Sequence, residues 1–324
     1  MPRFEMKTAV LIPCYNESQT IGKVVRDFRA ALPDADIYVY DNNSSDGTDR
    51  IAKEAGAIVR YEYAQGKGHV VRSMFRDIEA DCYIMADGDD TYPAEAAPRL
   101  AEAVLIRHAD MAVGDRLSST YFTENKRPFH NSGNMLVRGI INTMFKSHVN
   151  DIMTGMRAFS RRFVKSFPAI SKGFETETEM TIFALDNDLS IEQMPIEYRD
   201  RPEGSTSKLN TVSDGFKVLM TSARLFRDAK PFRFFGVISL LLLAVFLCLF
   251  IPIWLDFLHT GTVQKFPTLI MLAGLFVIVV INFFCGIVLS VLKKQHRDNI
   301  ERFMNLQATI DHFYGGNGSG GNRS

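Results

Sequence analysis

An α/β head built on a mostly parallel sheet, followed by a two-helix transmembrane hairpin, is the architecture this sequence predicts. Three observations point to it. Short apolar runs alternate with helix-length segments in the first part of the chain, the pattern of strand–helix–strand units whose strands are buried on both faces. Three of these runs deliver polar loops, and in parallel sheets ligands gather at the carboxyl ends of the strands. Two later segments, residues 234–255 and 267–292, contain no Asp, Glu, Lys or Arg. At about 1.5 Å per helical residue, each can cross a hydrocarbon layer of about 30 Å.

Residues 8–12 read as a short buried strand, and the turn Asn16-Glu17-Ser18 starts a helix over 20–31. Residues 37–40 form the next strand, followed by the polar run 41–46, a helix over 49–54 and a third strand over 57–60. The apolar run 82–86 carries the acidic group Asp87-Gly88-Asp89-Asp90 just beyond its carboxyl end. The polar groups around Asn16, Asp41 and Asp87 therefore converge although they are distant in sequence. A helix opens near 173–177 with Glu175 and Glu177 in its first turn. Those carboxylates either favour the positive helix end or orient basic ligand-binding residues, and the sequence leaves both readings open. Residues 204–209 form an adaptable Gly/Ser/Thr loop ending at Lys208, and Val212, Phe216, Leu219, Met220 and Ala223 mark one face of an amphipathic helix. The expected organisation is a head over 1–210, an amphipathic juxtamembrane segment over 211–233, the hairpin over 234–292, and a C-terminal segment with a flexible Gly/Asn/Ser tail over 293–324.

Charge narrows the function classes. With 37 basic and 37 acidic residues the net charge is zero, which argues against non-specific nucleic-acid binding. Arg224, Arg227, Lys230 and Arg233 precede the first apolar segment, Lys293, Lys294, Arg297 and Arg302 follow the second, and the loop between carries only Lys265. The positive-inside rule then predicts both chain ends in the cytoplasm. Residues 1–17 hold no long apolar stretch of the signal-peptide kind, so the head is expected to stay cytoplasmic. Cys14, Cys82, Cys248 and Cys285 are too widely spaced for a metal cluster or disulfide framework. The loop 13–18 lacks the glycines of a dinucleotide site, and Gly66-Lys67-Gly68 lacks the Lys-Ser/Thr pair of a nucleoside-triphosphate loop.

Asp87 and Asp89 are separated by one glycine, so both carboxylates can face one cavity. A magnesium or manganese ion on a diphosphate needs only a few hard oxygen ligands from the protein, because phosphate and water fill the rest. The competing reading is a solvent-facing acidic turn. Lys67, Arg116, Arg127, Arg157, Arg199, Arg201 and Lys208 supply cations from which a phosphate-binding set could be drawn.

Taken together, Pro13-Cys14-Tyr15-Asn16-Glu17, Asp41-Asn42-Asn43-Ser44-Ser45-Asp46-Gly47-Thr48, Gly66-Lys67-Gly68 and Asp87-Gly88-Asp89-Asp90 resemble the inverting family 2 glycosyltransferases. The resemblance is to the branch of dolichyl-phosphate mannose synthases and bacterial polyprenyl-phosphate glucosyltransferases. Thr154-Gly155-Met156-Arg157, Phe174-Glu175-Thr176-Glu177 and Gly204-Ser205-Thr206-Ser207-Lys208-Leu209 extend it over almost the whole head. The resemblance implies a glycosyltransferase A-type nucleotide-sugar domain, with Pro13, Tyr15, Glu17 and Asp41 around base and ribose. Asp87 would face the ribose or metal, and Asp89 would ligate Mg2+ or Mn2+. Lys67 and Arg157 would lie on the donor side, with Arg116, Arg127 and Lys208 around donor or acceptor phosphates. Thr91 stands where some mannose-phosphate synthases carry a glutamine metal ligand, which leaves a third protein ligand open.

The implied reaction is transfer of one sugar from UDP-glucose or UDP-N-acetylglucosamine to undecaprenyl phosphate at the bacterial inner membrane. A GDP-mannose-dependent polyprenyl-phosphate mannosyltransferase is the first alternative. A non-catalytic nucleotide-sugar-binding membrane assembly protein is the second, and a processive polysaccharide synthase is disfavoured by having only two expected spans. Expected partners are the donor, the lipid acceptor and membrane lipids; self-association is left open, and nucleic acid is not expected.

Overall fold

The computed structural model describes residues 6–118, 130–168, 176–199, 224, 226–263 and 265–317. The chain divides into two compact units, Met1–Thr221 and Ser222–Ser324. In the first, strands β1 (Thr8–Cys14), β2 (Asp36–Asp41), β3 (Ile58–Tyr61) and β4 (Cys82–Met85) alternate with helices α1 (Ile21–Ala31), α2 (Thr48–Glu54) and α3 (Lys67–Asp77). Then come α4 (Ala97–Leu105), β5 (Met111–Asp115), α5 (His130–Phe145), β6 (Arg157–Ser160), α6 (Arg161–Ser166), α7 (Thr176–Asp186) and β7 (Ile191–Pro195). The strands form one seven-stranded sheet in the order β3-β2-β1-β4-β6-β5-β7.

The pairings β1/β2, β2/β3, β1/β4 and β5/β7 are parallel, whereas β6 runs antiparallel to both β4 and β5. That reversal positions the site. Because Met85 of β4 pairs with Arg157 of β6, the residues entering β6 arrive at the carboxyl end of β4. Strand order also reverses beside β1, whose neighbours are β2 and β4, the switch point at which such sheets bind ligands.

Residues 9–12 are fully buried, and Ile21, Val24, Val25 and Phe28 give α1 an apolar face at three- and four-residue spacing. On the other face Phe75, Phe159, Phe163, Phe167 and Phe183 pack in edge-on and offset pairs with centroids 4.8–6.1 Å apart. Helix α7 has buried residues around its whole circumference, so it shows no amphipathic stripe.

The second unit contains α8 (Pro231–Thr260) and α9 (Phe266–Asn317). Both are long and apolar enough to cross a membrane, and Leu240, Leu241, Ile251, Ile270, Val277 and Ile281 lie exposed along them. Gly261, with φ 70°, ends α8 in a left-handed cap. The pair is fastened by Asn282, whose Nδ2 donates to Ser239 Oγ at 2.7 Å and Phe235 O at 3.0 Å. Near its basic end, Lys293 donates to the Ala229 carbonyl. The helix does not stop at Leu292: no Pro or Gly occurs from Lys293 to Tyr314, so it continues through Asn317, into the tract read from the sequence as a flexible tail. Of the expected amphipathic segment over 211–233, residues 211–223 and 225 lie outside the described residues.

Candidate active site

The loops after β1, β2, β3, β4 and β5 and the stretch entering β6 meet at the carboxyl end of the sheet. The first two are laced together: Asn16 N donates to Ser44 Oγ and Glu17 N to Thr48 Oγ1, each at 2.9 Å, and Ser18 N to Asp46 Oδ2 at 3.0 Å. Ser45 N donates back to Asn16 Oδ1 at 2.9 Å. Pro13 and Glu17 are half-buried in this lacing, and Tyr15 is exposed beside it.

Asp41 ends β2 and is buried. Its Oδ2 accepts from Ser44 N at 3.0 Å, while Oδ1, also buried, has no hydrogen-bond partner among the described residues. Leaving a carboxylate oxygen dry and unpaired costs about 1–3 kcal/mol, so this atom marks a place where a ligand donor would be stabilising. The next residue, Asn42, ties down the loop 62–66, which leads to Lys67 at the start of α3.

Lys67 Nζ sits 2.5 Å from Asp87 Oδ1 and 2.5 Å from Glu177 Oε1. Burial works against the ammonium, but the two carboxylates outweigh it and raise its pKa above the ordinary 10.5. Glu177 is 3% exposed and belongs to the first turn of α7. Of the two readings the sequence left open, the structure shows Glu177 holding a basic residue of the site. The expected phosphate ligand Lys67 is itself committed to Asp87, so both residues enter the site as parts of one ion triad.

Asp89 is 4% exposed, and its Oδ1 accepts from Thr91 Oγ1 at 2.6 Å and Thr91 N at 3.3 Å. Thr91 thus orients this carboxylate where the family resemblance suggested a missing ligand. Thr20 Oγ1 donates to Gly88 O at 2.6 Å, and Lys23 pairs with Asp90 at 2.8 Å, fixing both flanks of the acidic turn to α1.

From the other side, the stretch 151–156 closes on Asp87. A Cβ on Gly155 would collide with the Asp87 carboxylate, so only glycine permits this approach. The Tyr92 hydroxyl accepts from Gly155 N at 2.7 Å and from Arg116 Nη1 at 3.3 Å. Arg116 follows β5 and forms a two-pronged pair with Asp151, Nε–Oδ2 2.7 Å and Nη2–Oδ1 3.1 Å. Its guanidinium also lies over the Tyr92 and Tyr198 rings, 5.9 and 5.4 Å from their centroids.

Arg157, expected on the donor side, is instead sealed in the core at 0% exposure. Its Nε donates to Thr154 O at 3.0 Å, Nη2 to Ile152 O at 2.5 Å and Nη1 to Thr181 Oγ1 at 2.9 Å. Burial pushes the guanidinium down to about 10, opposed by Glu177 and Asp151. A charged fork spent on backbone carbonyls braces the 151–156 stretch and offers no donor to an open cavity. Arg127, Lys208, Glu175 and Arg201 lie outside the described residues; Arg199 pairs with Glu95 at 3.3 Å.

Reading the sequence missed Asn42, Tyr92 and Asp151. Tyr92 follows the acidic turn directly and could have been suspected; nothing local distinguishes Asp151. The residues present fit a divalent metal: Asp89 and Asp87 offer hard oxygen donors at one turn, and the resemblance to metal-dependent enzymes runs through them. Among the described residues no three His, Cys, Asp or Glu side chains cluster for a metal, so substrate oxygens and water would complete its shell.

The acidic turn and the unpaired aspartate oxygen thus lie at the carboxyl edge of the sheet beside its switch point, where α/β sheets bind ligands. Residues 9–167 match glycosyl transferase family 2, and over 108 residues the chain is 52% identical to Protein RfbJ of Shigella flexneri, covering 33% of this chain and 84% of that one. The chain belongs to family 2 and is a glycosyltransferase. Glycosyltransferase AglJ of Haloferax volcanii is 28% identical over 299 residues, 92% of this chain and 97% of that protein. The undecaprenyl-phosphate mannosyltransferase of Micrococcus luteus is 27% identical over 217 residues, 62% of this chain and 87% of that protein. Among solved structures, glucosyl-3-phosphoglycerate synthase of Mycobacterium tuberculosis, crystallised with Mn2+, UDP and glucosyl-3-phosphoglycerate, shares the fold. That likeness has a TM-score of 0.56 at 18% identity and covers 69% of this chain and 80% of that one.

Proposed function

We propose that this enzyme transfers one hexose or N-acetylhexosamine, from UDP-glucose or UDP-N-acetylglucosamine, to undecaprenyl phosphate with inversion at the anomeric carbon. The single observation that carries the reading is the pairing of a family 2 acidic turn, Asp87 to Asp90, with two helices able to span a bilayer. A relative that acts on undecaprenyl phosphate supports the lipid acceptor. An oxygen of the acceptor phosphate attacks the anomeric carbon and the nucleoside diphosphate departs. That phosphate is already ionised near neutrality, so no general base is required. Glu177 fits this chemistry, since its carboxylate is committed to Lys67.

Asp41 Oδ1, buried and without a partner among the described residues, would accept from the nucleoside of the donor. Asp89, oriented by Thr91, would hold a divalent ion, Mg2+ or Mn2+, which when bound neutralises charge gathering on the leaving diphosphate. Arg127 and Lys208 would meet phosphate oxygens as point charges or forks without proton transfer. Both chain termini and the head would lie on the cytoplasmic side of the inner membrane, where nucleotide-sugars are found.

GDP-mannose is the second reading, favoured by the mannosyltransferase relative. Detergent-purified protein incubated with polyprenyl phosphate, a divalent metal and a panel of nucleotide-sugars, with lipid products identified by mass, separates the two. A hexosyl or N-acetylhexosaminyl lipid from a UDP-sugar is expected. Use of GDP-mannose alone overturns the donor, and nucleotide-sugar binding without any glycolipid would favour a non-catalytic assembly protein.

A further inference from the structure

We propose that Asn42 is a positioning residue for the transfer reaction: it locks the loop 62–66 so that the Lys67 ammonium stays between Asp87 and Glu177. The proposal deepens the reading above and rests on it for its kinetic arm. Asn42 is 3% exposed, and all four hydrogen-bonding positions of its amide are filled from that single loop. Nδ2 donates to Glu62 O at 2.7 Å and Ala64 O at 2.9 Å. Oδ1 accepts from Gly66 N at 2.7 Å and Gln65 Nε2 at 3.2 Å. Its backbone N–H donates to Cys14 O at 2.9 Å, which seats it against the end of β1.

The segment it holds has no regular structure from Glu62 to Gly66. Gly66 has φ 129° and ψ 139°, a conformation open to glycine, and Lys67 follows it as the first residue of α3. The path from Asn42 to the Lys67 backbone is therefore one hydrogen bond and one residue long. At the far end, Lys67 makes two contacts of 2.5 Å to carboxylates on different elements. Charge-assisted bonds weaken as the donor withdraws, so a displacement of about 1 Å at Gly66 would loosen the hold of Lys67 on Asp87 and Glu177. Asp41, with its unpartnered Oδ1, and its neighbour Asn42, which ties down the loop leading to Lys67, place two parts of the site on one dipeptide.

The test is a double-mutant cycle with an exchange measurement beside it. Asn42→Ser removes the reach of the amide; Asn42→Asp keeps its shape but turns an oxygen toward two carbonyls, and serves if the serine variant does not fold. Each is combined with Lys67→Met, or with Lys67→Gln should the methionine variant not fold. If Asn42 acts through Lys67, each single change lowers kcat/KM about tenfold or more, and the double variant lies within about threefold of the Lys67 variant. Losses that multiply in the double variant overturn the proposal. Independently of turnover, Asn42→Ser is expected to speed amide exchange at Gly66, Lys67 and the turn after β4 while β1 and β2 stay protected. Exchange unchanged at Gly66 and Asp87, or raised uniformly across the sheet, overturns the proposal as well. A wild-type protein that makes no glycolipid would sink the proposed function and leave the exchange arm decisive for Asn42.

Discussion

Lys67, Asp87 and Glu177 come from α3, the turn after β4 and α7, and together they show what single side chains contribute here. A lysine between two carboxylates is held in a buried place by the attraction of both; removing the lysine leaves two like charges facing each other without a counter-ion. Arg157→Met is accordingly expected to lower stability by about 3 kcal/mol or more, since two carbonyls and a hydroxyl lose a charged donor in a site with 0% exposure. Thermal unfolding in detergent measures this, and a melting temperature equal to wild type would remove Arg157 from the bracing role. Asp89→Asn is expected to spare the fold and reduce turnover about a hundredfold, the loss of one contact to developing charge of about 3 kcal/mol. Near-normal metal-dependent turnover in that variant would remove Asp89 from the mechanism. Gly155→Ala should push the Asp87 carboxylate off Lys67 and lower activity about tenfold or more with little change in circular dichroism, because its Cβ has no room.

At the scale of elements, the loops after β1 and β2 are held by side chains as much as by backbone. Burial pushes the Asp46 carboxyl up, but donors on Thr48 and Ser18 outweigh it and hold its pKa below the ordinary 3.8. Ser73 and the Ala64 amide hold Glu62 below its ordinary 4.5 in the loop that leads to Lys67. A carboxyl whose folded-state pKa is depressed stabilises fully above its unfolded value, and that contribution is lost as pH falls through the folded value. Acid should therefore open these loops before the sheet. Amide exchange at Ser18, Thr48 and Ala64 is expected to quicken below those ordinary values while Val10 and Val39 remain protected; simultaneous loss of all of them would show that the loops have no separate stability. The first three strands were legible because each is a run of apolar residues ended by polar ones. Strand β6 was not, being four residues long and opening with a buried arginine. Helix α7 was legible as a helix opening near 173–177, although its buried acidic and hydroxyl residues erase the usual stripe.

At the scale of the molecule, two helices of 30 and 52 residues exceed what a hydrocarbon core of about 30 Å requires. The positive charge before α8 and beyond residue 292 of α9, against Lys265 alone between them, predicts that the short connection faces away from the cytoplasm. With Cys248 and Cys285 replaced by serine, Thr262→Cys should react with an impermeant maleimide added outside intact spheroplasts. Gln19→Cys in the head should react only after lysis. The opposite pattern would invert the topology and place the head away from its nucleotide-sugar supply.

The sequence by itself determined the α/β class, the three converging loops, the apolar pair of helices and the family, because these rest on local periodicity and on motifs read in order. It also identified Asp41, Asp87 and Asp89 as candidates. Tertiary structure alone decided which charges are spent inside the protein: Lys67 on Asp87 and Glu177, Arg116 on Asp151, Arg157 on the carbonyls of its own approach to β6. The reason is that β6 runs against its neighbours, bringing the stretch before Arg157 to the edge where β4 and β5 end, while α3 and α7 deliver Lys67 and Glu177 there. Periodicity carries no record of such a pairing, and a cation reads alike in sequence whether it awaits a phosphate or already holds a carboxylate.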